Sequence, residues 1–181
     1  MDIYKQKFTR TQQEILRFLF SSVGENYNQR EIAKYLKVSP TAVAKALKVL
    51  SKENLIKVSK NNSSGISKIE LNLDDRKVFE MKRSDNLRTI YKSGLFDFLE
   101  EKFVGKTIVL FGSYAFGEDT KDSDIDIAII GSKEIDLDLR KFEKIFGKEI
   151  RVQFYENLKD IHKNLKESLF NGIILSGGFE L

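Results

Sequence analysis

Asp124, Ile125, Asp126 and Ile127 alternate acid with aliphatic, ten residues beyond a Gly112-Ser113 pair that closes an apolar run. On a β-strand successive side chains leave opposite faces, so this alternation sends both carboxylates to one face and both isoleucines to the other. The stretch Thr107 to Phe111 reads as a preceding strand, which makes Gly112-Ser113 the turn at its end. Few other segments of the chain restrict its fold so tightly.

The alternation sits in a chain of 181 residues, room for one ordinary domain or two small ones. Hydrophobic residues make up 41% and charged residues 32%, the balance of a globular protein with real cores. No apolar run reaches the length of a membrane span, and the first residues lack the apolar stretch of a secretory signal, so a cytoplasmic protein is expected. Cysteine is absent, which excludes disulfides and thiolate metal sites, and the single histidine, His162, reads as a solvated surface residue. Charge is uneven along the chain. Residues 1–75 carry 13 Lys and Arg against 8 Asp and Glu, while the remainder carries 18 against 19. The basic surplus lies in the front part, as a polyanion-binding module requires, although a solvated basic surface has the same balance.

That front part has a clear order. Ile15, Leu16, Phe18, Leu19 and Phe20 follow Thr9 and Thr11 at helical spacing over residues 10–22. Asn28 is placed to cap a second helix, Gln29 to Leu36. Ser39 is placed to cap a third, which starts on Pro40 and runs to about Asn54. Two strand-like runs, Leu55 to Ser59 and Ile66 to Leu73, flank the polar loop 60–65 and predict a hairpin. Ile32, Ala33, Leu36, Val38, Val43 and Ala46 fall where two tightly crossing helices need apolar or small residues. Residues 9–73 thus resemble a winged helix-turn-helix, with Lys37 where many such motifs have glycine. The resemblance implies that Ser39, Thr41, Ala42, Lys45 and Lys48 face DNA from the third helix, with Lys60, Asn61, Asn62 and Lys68 on the wing. A domain used for dimerisation or protein contact is the other reading.

Residues 76–103 predict two helices broken near Gly94, taken as a helical linker between domains at 1–75 and 104–181. Beyond the Gly-Ser turn, strands are expected over Asp124 to Ile130 and Glu149 to Tyr155, with helices near 137–146 and 158–170 and a last apolar run at Ile173. The aromatic set Phe96, Phe98, Phe103 and Phe111 reads as core, and the acidic loop Glu118, Asp119 and Asp122 as a solvated rim.

Paired carboxylates opposite a Gly-Ser turn suit a hard cation beside a triphosphate. Mg²⁺ takes oxygen ligands and keeps several waters, so one or two carboxylates and phosphate oxygens suffice. Gly112 permits close approach of backbone to phosphate, and Ser113 has a hydroxyl and an N–H to donate. Phe-Gly-Ser, ten residues, then Asp-Ile-Asp resembles the minimal nucleotidyltransferases of the DNA polymerase β-like superfamily, over about residues 90–178. Gly117 and the Ser123-Asp124 pair fit the same pattern. The resemblance implies an α/β (α+β) fold, a winged helix-turn-helix followed by a transferase domain with a mixed sheet. It also implies Mg²⁺ held by Asp124 and Asp126, a nucleoside triphosphate (NTP) held by Gly112 and Ser113, and transfer of a nucleoside monophosphate to an acceptor. Such domains often modify a partner HEPN-type ribonuclease toxin as its antitoxin.

Two positions depart from that pattern. Phe116 stands where an arginine is common, and the strand that normally supplies a third carboxylate offers Arg151 or Gln153. Glu149 shares their face and is the candidate catalytic substitute if the register shifts. Two functions are therefore expected: a DNA-binding, Mg²⁺-dependent nucleotidyltransferase, or a transcription regulator whose degenerate transferase domain senses a nucleotide. A homodimer is expected in either case, because helix-turn-helix proteins read paired half-sites.

Overall fold

The computed structural model describes residues 8–60 and 67–179, and the chain divides into two compact units after Phe79. Each of the first three helices begins on a residue whose side chain replaces a missing backbone partner. In α1 (Arg10–Phe20), Thr9 and Gln12 form a reciprocal capping box, with the Thr9 N–H donating to Gln12 Oε1 at 2.8 Å. In α2 (Gln29–Leu36), Asn28 Oδ1 accepts from the N–H groups of Arg30 and Glu31 at 2.9 and 3.1 Å, and Glu31 reaches back to Asn28 N. In α3 (Pro40–Lys52), Ser39 Oγ accepts from Ala42 N at 3.2 Å, and Pro40 takes the first position. The helix stops short of the expected Asn54, which takes a left-handed φ of 60°.

Lys37 closes α2 with φ 55° and ψ 40°, so the glycine-type turn between α2 and α3 is kept without the glycine. Ile15, Leu16, Ile32, Ala33, Val43, Leu47 and Leu50 bury the three helices against one another. The hairpin of β1 (Ile56–Lys60) and β2 (Ser67–Leu71) adds Ile56, Ile69 and Leu71 to that core. Asn61 and Asn62, expected on the wing, lie outside the described residues, and Lys60 is described by its backbone alone.

The second unit takes in most of α4 (Arg76–Lys92) and all of α5 (Leu95–Lys102). These are the helices expected as a linker, yet Ile90, Leu95, Leu99 and the following Phe103 are fully or nearly fully buried in this unit's core. Next come β3 (Thr107–Phe111), α6 (Gly112–Phe116), β4 (Ile125–Ile130), α7 (Arg140–Phe146), β5 (Ile150–Tyr155), a 3-10 turn at Leu158–Asp160, α8 (Lys163–Phe170) and β6 (Ile173–Ser176). The sheet order is β5-β4-β3-β6, with β4 and β5 parallel and the other two pairs antiparallel, a mixed sheet as expected.

Strand parity divides the core. Ile108, Leu110, Ile125, Ile127, Ile129 and Ile150 pack with α4, α5 and Phe142, whereas Val109, Phe111, Ala128 and Ile130 pack with Ile161 and Leu169 on the opposite side. Asp126 falls on the second side by the period-two rule, at the end of the sheet where that layer stops. Among the described residues no helix is long and apolar enough to cross a membrane.

Candidate functional site

β3 hands the chain to α6 at Gly112, directly beside β4. Phe111 pairs with Asp126 across the antiparallel ladder, and Arg151 pairs with Asp126 from the parallel neighbour β5. The second aspartate therefore has the Gly-Ser turn on one flank and a guanidinium on the other. Asp124 sits one residue ahead of β4, whose first N–H, on Ile125, donates to Glu149 O at 2.9 Å. Ser113 and both aspartates are half-buried.

Gly112 is required here for two reasons. Its φ is +72°, and a Cβ built on it would stand 2.5 Å from Asp126 Oδ2. Gly112→Ala is expected to cost the second unit about 1–3 kcal/mol through left-handed strain and the forced shift of Asp126. Urea unfolding of the variant against the parent measures it, and an unchanged midpoint would contradict the close approach.

Burial, then the neighbouring Asp124 charge, push the Asp126 carboxyl above the usual carboxylate range, and Arg151 opposes the shift. Two half-buried carboxylates that repel one another have the chemistry to hold one hard divalent cation together with water or phosphate oxygens. Among the described residues no third His, Cys, Asp or Glu joins them in a metal-holding group. Glu149, the sequence candidate for that place, is exposed and accepts from Arg151 Nε at 3.2 Å. Arg151 takes the central position instead, with Nη1 2.7 Å from Asp124 Oδ2. Phe116 is half-buried in α6, so no guanidinium stands at that position either.

The loop between α6 and β4 rests on a buried ionic hub that has no local signature. Asp119, expected on a solvated rim, is 1% exposed. Its Oδ1 accepts from Lys82 Nζ and, at 2.7 Å, from Asn86 Nδ2, while its Oδ2 lies 3.4 Å from Lys148 Nζ. The correction follows from α4: Lys82 and Asn86, one helical turn apart, share its buried stripe with Ile90 and meet Asp119 there. Burial pulls the Lys82 ammonium below the ordinary lysine range, and Asp119 resists that pull. Lys148 also donates to the carbonyls of Thr120, Lys121 and Ser123, the last at 3.2 Å, which fixes the turn immediately before Asp124. A lysine and an asparagine in line with a helix's apolar stripe were the available signal.

In the first unit, Ser39, Thr41, Lys45 and Lys48 are all exposed. Thr41, Lys45 and Lys48 follow i, i+4, i+7 spacing, so they share one face of α3 opposite Val43, Leu47 and Leu50. Ser39 Oγ is engaged as the cap acceptor, leaving its O–H to donate elsewhere. His162 is exposed at the start of α8.

The nucleotidyltransferase domain family model matches residues 92–175, and the MarR family model matches residues 8–65. Putative protein adenylyltransferase MJ0604 of Methanocaldococcus jannaschii is 37% identical, the match covering 33% of this chain and 79% of that protein. Transcriptional regulator ZitR of Lactococcus lactis is 48% identical over 30% of this chain, which spans only 35% of the regulator. Among solved structures, the adhesin competence repressor of Streptococcus pyogenes is 26% identical with a TM-score of 0.40, covering 55% of this chain and 70% of that one. The chain belongs to the nucleotidyltransferase-domain family, and the winged helix ahead of that domain matches the MarR family model.

Proposed function

We propose that this protein transfers a nucleoside monophosphate from a Mg²⁺-bound triphosphate to a hydroxyl of a partner protein, and that its winged helix gives it a DNA address. The observation that carries the reading is the packing of Gly112 against Asp126, with Asp124 beside it and Ser113 at the turn. In such a site the acceptor oxygen attacks the α-phosphorus in line and pyrophosphate leaves, and catalysis consists of positioning and charge neutralisation. Asp124 and Asp126 would hold the metal, which supplies that neutralisation. Gly112 and Ser113 would meet the phosphates. ATP is the proposed donor, in keeping with the adenylyltransferase relative. The proposed acceptor is a protein of the HEPN-type ribonuclease toxin class, the partner implied by the family, and the proposed setting is a cytoplasmic homodimer.

Incubation with each of the four α-labelled triphosphates, Mg²⁺ and candidate acceptors tests the reading. Label on a protein acceptor supports it. Nucleotide binding that alters DNA affinity with no label transferred supports the regulator reading instead, which the presence of Arg151 at the carboxylate pair favours.

The DNA role makes its own prediction. Lys45→Ala with Lys48→Ala is expected to reduce the slope of log affinity against log salt by about 2, one counterion per lost phosphate contact. A titration across salt concentrations reads it, and an unchanged slope would remove α3 from the interface.

A further inference from the structure

Arg151 already places a cation inside the carboxylate cluster. Its guanidinium lies between Asp124 and Glu149, on the strand position directly opposite Asp126. A divalent ion bound to Asp124 and Asp126 would share the Asp124 carboxylate with the guanidinium that holds its Oδ2, so the two cations compete for its charge. The competition is soft. The Arg151 side chain is 55% exposed and the Asp124 side chain 26%, and partly solvated pairs of this kind are weak. Glu149 holds Nε, at one end of the fork, while the Nη end makes the contact with Asp124. Rotation about the Glu149 contact frees Asp124 without releasing the arginine from the site. The freed fork has donors in the planar geometry that matches phosphate oxygens.

Charge gives the sense of the exchange. Asp124, Asp126 and Glu149 are three anions with one guanidinium among them. A bare divalent cation meets that guanidinium as a rival, whereas a metal-bound triphosphate brings anionic oxygens for it.

Resting on the nucleotide-binding reading above, we propose that Arg151 is a displaceable counter-cation: it holds Asp124 in the free protein and moves to a phosphate oxygen when the metal–triphosphate binds. The residue thereby opposes the metal alone and favours the metal with its nucleotide. A purely structural salt bridge has no such opposite effects.

The test uses the full chain and two binding measurements. Mn²⁺ alone is titrated by its electron paramagnetic resonance signal, and a non-transferable α,β-methylene ATP with Mg²⁺ by calorimetry. For Arg151→Ala, Mn²⁺ affinity is expected to rise about threefold or more and analogue affinity to fall about tenfold or more. Arg151→Lys keeps the charge without the fork, so it is expected to restore the parent's Mn²⁺ affinity but not its analogue affinity. Movement of both affinities in the same direction, or of neither, overturns the role of Arg151. If that happens while Asp124→Asn with Asp126→Asn still abolishes analogue binding, the nucleotide site stands and the counter-cation falls. Failure of the parent protein to bind the analogue removes both.

Discussion

Asp124→Asn combined with Asp126→Asn is expected to lower transfer at least about a thousandfold while leaving the second unit folded. A metal that neutralises developing phosphoryl charge is worth several kcal/mol, and each 1.36 kcal/mol is about tenfold in rate, so losing its carboxylates removes about three decades or more. The amides are isosteric, and the change removes both causes that raise Asp126, the burial of its charge first and the repulsion from Asp124 second. Among the described residues the ion pair lost is the partly exposed one to Arg151, which contributes at most about 1 kcal/mol. Initial rates on a labelled acceptor, with urea unfolding alongside, separate chemistry from stability. A variant that keeps its rate would move the metal to other residues, and one that unfolds would make the pair structural.

Asp119→Ala is expected to have the largest effect on stability, a loss of about 3–5 kcal/mol from the second unit. The substitution takes from the Lys82 ammonium its ion-pair partner in a place where its side chain is 1% exposed, and it strips Lys148, 5% exposed, of its carboxylate. Domains of this size are stable by about 5–15 kcal/mol in all, so the variant should lie near the edge of folding. The hub also makes a specific rescue possible. Adding Lys82→Met to Asp119→Ala removes the stranded charge and should recover a large part of the loss, because an apolar replacement of a buried ion pair is often neutral or better. Denaturant midpoints of the two single variants and the double variant form a cycle for the Lys82–Asp119 coupling. Additive losses would show that the two side chains do not depend on one another.

The sequence and the structure agree where the signal is local. Thr9, Asn28 and Ser39 announce the helix starts because a cap acts within three residues, and all three caps form. The alternation at 124–127 buries Ile125 and Ile127 and leaves Asp126 half-exposed, as parity demands. The same parity puts Arg151 on the face of the aspartates, but its position opposite Asp126 depends on the register of a parallel pair joined through α7. Nothing adjacent to β5 marks that register. Asp119 is the clearest case of a signal that does not exist locally: Gly-Glu-Asp-Thr-Lys-Asp-Ser has the composition of a solvated loop. Its burial is decided by Lys82, 37 positions earlier, and by Lys148 after α7. The helices at 76–103 raise the same difficulty, since a charged, periodic segment reads alike as spacer or as core until its partners are known.

The ammonium of Lys148 stands among three carbonyls and a carboxylate much as a coordinated potassium or sodium ion would. The turn before Asp124 thus has its ion covalently attached, and it cannot be washed out, chelated or exchanged. Ordering that turn costs little conformational entropy on ligand arrival, since the chain has already been ordered during folding. Amide exchange over residues 119–124 should accordingly be as slow in metal-free buffer as in the presence of Mg²⁺.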